Sequence, residues 1–200
     1  MNSQTGAIDA RVNTRTVTAA QRLPNSVLGM VIFIGTEIMF FAALMSAHTI
    51  ARATVLGGVW PPAGQPRLPI ERTAINTAIL LLSGLLLWIG NRRMTTERES
   101  ALRYVAGAIV AGITFVSLQG VEWVALLREG LTMTSSNHGA FFYLIVGTHA
   151  LHAIAAIIAL TWVYLRMRRG LFTPSSFTAT QVFWYFVVVV WPVIYLRVYL

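Results

Sequence analysis

The sequence has no cysteine, which excludes disulfides, thiolate metal sites, iron–sulfur clusters and cysteine nucleophiles together. It has no lysine either: all 15 of its cations are arginine. Acidic residues number 7, and charged residues make up 11% of the 200 positions, less than half of the roughly 25% carried by a typical soluble domain. Apolar residues are plentiful instead, at 56%. A net charge of +8 would suit nucleic acid if it lay on one face of a soluble fold. Here the arginines stand at the ends of long uncharged apolar runs, where lipid head groups lie. The composition therefore points to an integral membrane protein with no nucleic-acid partner.

A bilayer core of about 30 Å needs roughly 20 mostly apolar residues in a helix. Five stretches qualify: 27–50, 74–90, 105–127, 140–165 and 180–200. None alternates with period two as a membrane barrel strand does, so helices are left to satisfy the backbone in lipid. Tyr and Trp near the span ends (Trp60, Trp88, Tyr104, Trp123, Tyr164 and Tyr199) fit interface anchoring. The expected fold is all-α, with five transmembrane helices in residues 24–200.

Residues 1–23 are polar, hold Arg11, Arg15 and Arg22, and read as a cytoplasmic tail rather than a cleaved leader. Together with the connections 91–103 and 166–169 this side carries ten arginines; the other side carries Arg52, Arg67, Arg72, Arg128 and Arg197. Excess cations stay in the cytoplasm, so the N-terminus is expected inside and the C-terminus outside. The connection 53–71 contains Gly57, Gly58, Pro61, Pro62, Pro66 and Pro69. Proline fixes φ and removes the amide donor, so this segment is expected to be extended. Pro192, inside the fifth span, removes one intrahelical hydrogen bond and is expected to kink it.

Ionisable groups at mid-membrane cost at least ~2.5–3.5 kcal/mol, so each needs a reason. Glu37 sits near the centre of the first span among Phe33, Ile34, Ile38, Met39, Phe40 and Phe41, a setting that favours the uncharged acid. It is either packing glue between helices or a contact for a proton, a lipid or a partner subunit. Glu122 follows Gln119 by one helical turn, so both face the same way; an interhelical hydrogen bond is the plain reading. His149 and His152 form a His-x-x-His pair on the fourth span. A zinc or non-haem iron site needs a third ligand, and His48 is the remaining intramembrane candidate, so a hydrogen bond to Glu122 or Glu37 competes with metal or haem. Arg166, Arg168 and Arg169 close the fourth span, as an orientation signal or with one arginine clamping a lipid phosphate. No Gly-rich phosphate loop and no Ser/His/Asp arrangement is present. The residues alone describe a helical bundle with one or two buried acids: an accessory subunit, with a stand-alone small transporter or channel as competitor.

Several stretches resemble one family. Gly29-Met30, Phe33 and Thr36-Glu37-Ile38-Met39-Phe40-Phe41 resemble the first helix of the short, five-helix form of haem-copper oxidase subunit III, the cytochrome c oxidase subunit 3 family. Trp60-Pro61-Pro62-Ala63-Gly64, Pro69, Ile75-Asn76-Thr77, Gln119-Gly120-Val121-Glu122-Trp123 and Leu127-Arg128-Glu129-Gly130 follow in the same order. Gly139-Ala140-Phe141-Phe142 through Gly147-Thr148-His149-Ala150-Leu151-His152 is the most specific, and Trp184, Phe186, Val189-Val190-Trp191 and Tyr199 complete it. The resemblance implies a V-shaped bundle in the bacterial cytoplasmic (inner) membrane with no catalysis and no haem or copper of its own. It implies a subunit of a respiratory, proton-translocating oxidase, packed against subunit I, which holds haem and copper and reduces O2, and beside the other oxidase subunits. It implies structural phospholipid and support for proton uptake and stability of the core, with cytochrome c as donor; a quinol oxidase or a nitric-oxide-reductase-associated relative is the alternative. Glu37 matches the family's carbodiimide-reactive buried carboxylate, which also borders lipid. Arg166, fourteen residues after His152, matches its lipid-phosphate arginine, and Glu122, His149 and His152 match its intramembrane polar set. The last helix departs from the pattern: Tyr185 and Val188 stand where the family usually has His and Asp, so the work of that pair is not done the same way here.

Overall fold

The computed structural model describes residues 24–54 and 65–200. The tail with its three arginines and the segment holding Trp60 and Pro61-Pro62 lie outside the described residues. Within them the chain forms five helices: α1 (Asn25–Ala53), α2 (Ile70–Arg93), α3 (Arg98–Arg128), α4 (Asn137–Arg168) and α5 (Pro174–Ile194), the last continuing into a π turn over Tyr195–Tyr199. All five are long and apolar enough to cross a membrane, and no strand occurs among the described residues. The chain is a multi-pass integral membrane protein.

Helices α1 to α4 outrun their expected spans at both ends, and α5 begins six residues early, because the apolar count marks only the lipid-buried middle while the backbone ladder continues into the head-group layer. The connection expected over 91–103 shrinks to 94–97, and the one over 166–169 shifts to 169–173. Residues 65–69, with Pro66 and Pro69, are irregular as expected, but Ile70 and Glu71 belong to α2. Glu71 lies in the first turn of that helix, where a negative side chain complements the helix dipole.

The ends are capped by short-range chemistry. Ser136 Oγ accepts from the Gly139 amide at 3.1 Å, and Pro174 opens α5, where its missing N–H costs nothing. Both α3 and α4 stop in the same way. Gly130 and Gly170 adopt φ of 91° and 78°. Leu131 N donates to Leu126 O and Leu171 N to Arg166 O, each at 3.0 Å. These are Schellman closures, which call for glycine because a side chain is strained at positive φ. Arg98 Nη2 donates to the Met167 carbonyl at 2.6 Å, tying the start of α3 to the end of α4.

Helices α2 and α3 pack as the tightest antiparallel pair, α4 joins α3 and α5, and α5 closes back on α2. Helix α1 rests on α5 and α4 from outside this four-helix group and leaves Ile32, Ile38, Met39 and Ile50 exposed. Trp184 and Trp191 are the largest fully buried side chains. Trp184 fits only because position 112 is glycine. A Cβ there would stand 2.4 Å from Trp184 Cη2.

Two expected interface anchors turn inward instead. Trp123 packs edge-on to Tyr143, ring centroids 5.7 Å apart, and Tyr199 is 6% exposed against Phe142 and Trp191. The Tyr199 hydroxyl is used within the bundle, accepting from Gln119 Nε2 at 3.0 Å, which the amphipathic character of Tyr permits as readily as an interface. Trp88 is exposed beneath the Arg92 guanidinium, as an anchor should be. The helix runs through Pro192 without ending, and a π turn over Tyr195–Tyr199 follows.

Gly112→Ala is expected to lower the thermal midpoint of the detergent-solubilised protein, by about 1–3 kcal/mol of overpacking cost. Gly29→Ala, where nothing lies within 4 Å, should not lower it.

Candidate functional site

Polar side chains inside the bundle collect at three places. The first is at mid-helix between α1 and α4. Glu37 Oε2 lies 3.0 Å from His152 Nε2, with 18% and 13% of the two side chains exposed. Phe33, Phe41, Phe183 and Phe186 ring the imidazole, centroids 5.5–6.5 Å away. The acid that is apolar-flanked in sequence therefore has a partner in space, and of the two acids offered to the histidines it is Glu37 that takes His152.

The proton count of this pair follows from its other contact. His152 Nδ1 is 2.8 Å from the Thr148 carbonyl. A carbonyl only accepts, so Nδ1 carries hydrogen. The contact between Nε2 and Oε2 then contains one proton, held either as a carboxylic acid donating to imidazole or as an imidazolium donating to carboxylate. Both placements give the pair zero net charge, which is how a carboxyl is tolerated in hydrocarbon. Moving the proton across 3.0 Å changes the dipole of the site but not its charge.

The second place joins α2, α3 and the π turn. The Thr73 hydroxyl is 3.0 Å from Glu122 Oε2 and 2.9 Å from the Pro69 carbonyl. Gln119 Nε2 donates to Glu122 Oε2 at 3.3 Å and to Tyr199 Oη at 3.0 Å. Asn76 Nδ2 donates to Gln119 Oε1 at 3.1 Å. Trp191 Nε1 donates to Thr77 Oγ1 at 2.9 Å, bringing α5 to the same stripe. The interhelical bond expected of Glu122 thus exists, but to Thr73 rather than to histidine. Asn76 and Thr77 enter the sequence reading only through the family resemblance and Thr73 not at all, although their spacing puts all three on one face of α2.

His149 does not share these contacts. It is 1% exposed, lies 4.9 Å from the Trp191 ring and 6.2 Å from Phe115, and its Nε2 has no hydrogen-bond partner among the described residues. One helical turn from His152, it shares Phe41 with that residue but otherwise faces Phe115 and Trp191 rather than Glu37. Among the described residues no group of three or more His, Asp or Glu clusters as a metal site. His48 and His138 are both buried where α1 ends and α4 begins, and the His48 ring packs against Phe141.

The third place is the end of α4. The Arg166 guanidinium stacks 4.8 Å over the Trp162 ring, beside a hollow lined by Val163, Leu171, Thr173 and Ser176. It makes no ion pair with any described residue.

A family model described as cytochrome c oxidase subunit III matches residues 13–200. The chain belongs to that family. It is 32% identical over 206 residues to the probable cytochrome c oxidase subunit 3 of Mycobacterium leprae (strain TN), covering 100% of this chain and 98% of that protein. The corresponding protein of Nocardia farcinica (strain IFM 10152) is 33% identical over 183 residues, 88% of each. Cytochrome c oxidase subunit 3 of Cyprinus carpio is 34% identical over 179 residues, 86% of this chain but 67% of that protein.

The departures in the last helix acquire a physical form. Val188 is buried, and its Cγ1 lies 3.0 Å from where a Cβ on Gly84 would be, so α5 and α2 meet through a hydrocarbon contact where the family usually has an acid. The Tyr185 hydroxyl is buried with no hydrogen-bond partner among the described residues.

Glu37→Gln keeps a donor toward His152 Nε2 and should leave the purified protein as stable as the wild type. Glu37→Leu orphans that nitrogen and should cost about 1–3 kcal/mol, read as a lower thermal midpoint. Gln119→Leu breaks contacts to Asn76, Glu122 and Tyr199 at once and is expected to cost at least as much.

Proposed function

We propose that this chain is the non-catalytic subunit III of a bacterial respiratory cytochrome c oxidase, packed against the haem- and copper-bearing subunit I in the cytoplasmic membrane. As a member of the subunit III family it associates with other oxidase subunits. Subunit I reduces O2 to water and pumps protons; this chain supports proton uptake by that core and its stability, and holds structural phospholipid. The relatives' names favour cytochrome c over quinol as the donor of the complex.

The observation that carries the reading is the Glu37–His152 pair, one proton held at mid-helix and partly open to the surface. A group that can shift a proton without changing its charge can respond to a neighbour's field at little desolvation cost. Glu122 and His149 belong to the same proton-related set, with Glu122 held by α2 and His149 by aromatic rings. Arg166 is the phospholipid clamp, because its planar fork matches phosphate and Trp162 pre-orients it; Glu37 borders the same lipid-facing surface. Residues 1–23 form the cytoplasmic tail, 24–200 the membrane domain, and the C-terminus lies outside.

Tagged chain purified in mild detergent should co-migrate with haem absorbance, while the chain isolated from its partners should show none. Recovery as a stable partner-free monomer that passes ions in liposomes would instead make it a transporter or channel. In the complex, a hydrophobic carbodiimide should label the wild type and not Glu37→Gln, and Arg166→Ala should lower the phospholipid-to-haem ratio. An unchanged ratio would remove the clamp.

A further inference from the structure

Glu37 has a second carboxyl oxygen. Oε2 is engaged with His152 Nε2, whereas Oε1 has no hydrogen-bond partner among the described residues. Unlike the Trp123 and His149 nitrogens, it is not enclosed by the bundle. Its chemistry follows from the proton count of the pair. His152 Nδ1 carries one hydrogen, facing the Thr148 carbonyl, and the other proton lies between Nε2 and Oε2. In either placement of that proton Oε1 bears no hydrogen, so it accepts and does not donate. Glu37 stands within α1 (Asn25–Ala53), about 18 Å from its start and about 24 Å from its end at 1.5 Å per residue. Half a bilayer core is about 15 Å, so the oxygen lies near mid-membrane, out of reach of the donors on phospholipid head groups.

Two aromatic rings bracket this oxygen. Phe33 and Phe40 lie one turn to either side of Glu37 on the same flank of α1, and they are 40% and 43% exposed. Phe33 rests on Phe183, ring centroids 5.8 Å apart, and Phe40 on Phe41 at 5.7 Å. On α4, Thr148 and Ala155 flank His152 at the same spacing, and Ala155 is exposed, so little bulk stands over the pair on that side. The floor of the groove is one bare acceptor and its α1 wall is two half-exposed phenyl rings. We propose that this groove binds a membrane-dissolved hydroquinone, with one hydroxyl donating to Glu37 Oε1 and the ring lying against Phe33 and Phe40. The oxidised quinone carries only acceptor oxygens on its ring and meets an acceptor here, so it is discriminated against. A hydrogen bond to Oε1 also favours the carboxylate, so occupancy is registered as a shift of the shared proton toward His152. The proposal deepens the reading of the Glu37–His152 pair given above. It rests on the proton count of that pair and on the chain's lying in a membrane, not on which partner it has.

The test uses the full chain, with whatever subunits accompany it, in phosphatidylcholine nanodiscs without oxygen. Labelling of Glu37 by a hydrophobic carbodiimide is followed by peptide mass spectrometry while a decyl-substituted hydroquinone, its quinone or its dimethyl ether is added. The hydroquinone is expected to protect Glu37 saturably, at a half-protecting concentration roughly three- to tenfold below that of the ether or the quinone, the worth of one hydrogen bond. Equal protection by all three, or protection by none, would overturn the proposal. Phe40→Ala should raise the half-protecting concentration of the hydroquinone, and an unchanged value would remove the ring from the groove. A second reading is the infrared band of the protonated Glu37 carboxyl, assigned by its loss in Glu37→Gln. The band should weaken on adding the hydroquinone and not the quinone, and an unchanged band would likewise sink the proposal, even where Phe40→Ala fails to accumulate. Failure of haem to co-purify, or of the carbodiimide to label Glu37, bears on the proposed function and leaves the infrared reading intact.

Discussion

A carboxyl group in hydrocarbon has to be made electrically neutral, and the arrangement of the helices around Glu37 follows from that requirement. Its partner His152 comes from α4, far along the chain, and the contact at 3.0 Å is what gives α1 a fixed register against a bundle it otherwise touches only from outside. The Thr148 carbonyl places a hydrogen on His152 Nδ1, leaving Nε2 to face Glu37. Four phenylalanines surround the imidazole, while the pair stays partly open to the surface. Neutral as a unit and polar within, the pair is suited to a subunit whose neighbour moves protons.

The same economy governs the rest of the polar interior. Glu122 is held by Thr73 and Gln119, Gln119 by Asn76 and Tyr199, and Thr77 by Trp191. In lipid each of these groups would otherwise be left without a partner, at a cost of about 1–3 kcal/mol apiece, so the stripe fastens α2, α3 and α5 together where packing alone would be permissive. Polar groups that the bundle does not satisfy internally are then informative. The indole of Trp123 and the imidazole Nε2 of His149 are left without a hydrogen-bond partner among the described residues, and both line the hollow between α3 and α4.

Small residues decide how closely the helices approach. Gly112 admits Trp184, and Gly84 receives Val188. The second contact is hydrocarbon against hydrocarbon, at the position where the resembled pattern has an acid.

The five membrane-crossing helices were legible in the residues, because the energy of placing a charge or a bare amide in lipid depends on local composition. The family was legible too, but from a different signal, the ordered motifs along the chain. Helix ends were less legible: caps such as Gly130 and Gly170 act beyond the apolar window, so the first four helices outran their spans. Which polar groups meet was not legible at all. His149 and His152 are one turn apart in sequence, yet one faces Trp191 and the other Glu37, and Tyr199 and Trp123 turned inward from an expected interface. Such pairings depend on the rotation of each helix about its axis and on which neighbour it meets, and these are set by packing between segments distant in the chain, which only the tertiary structure decides.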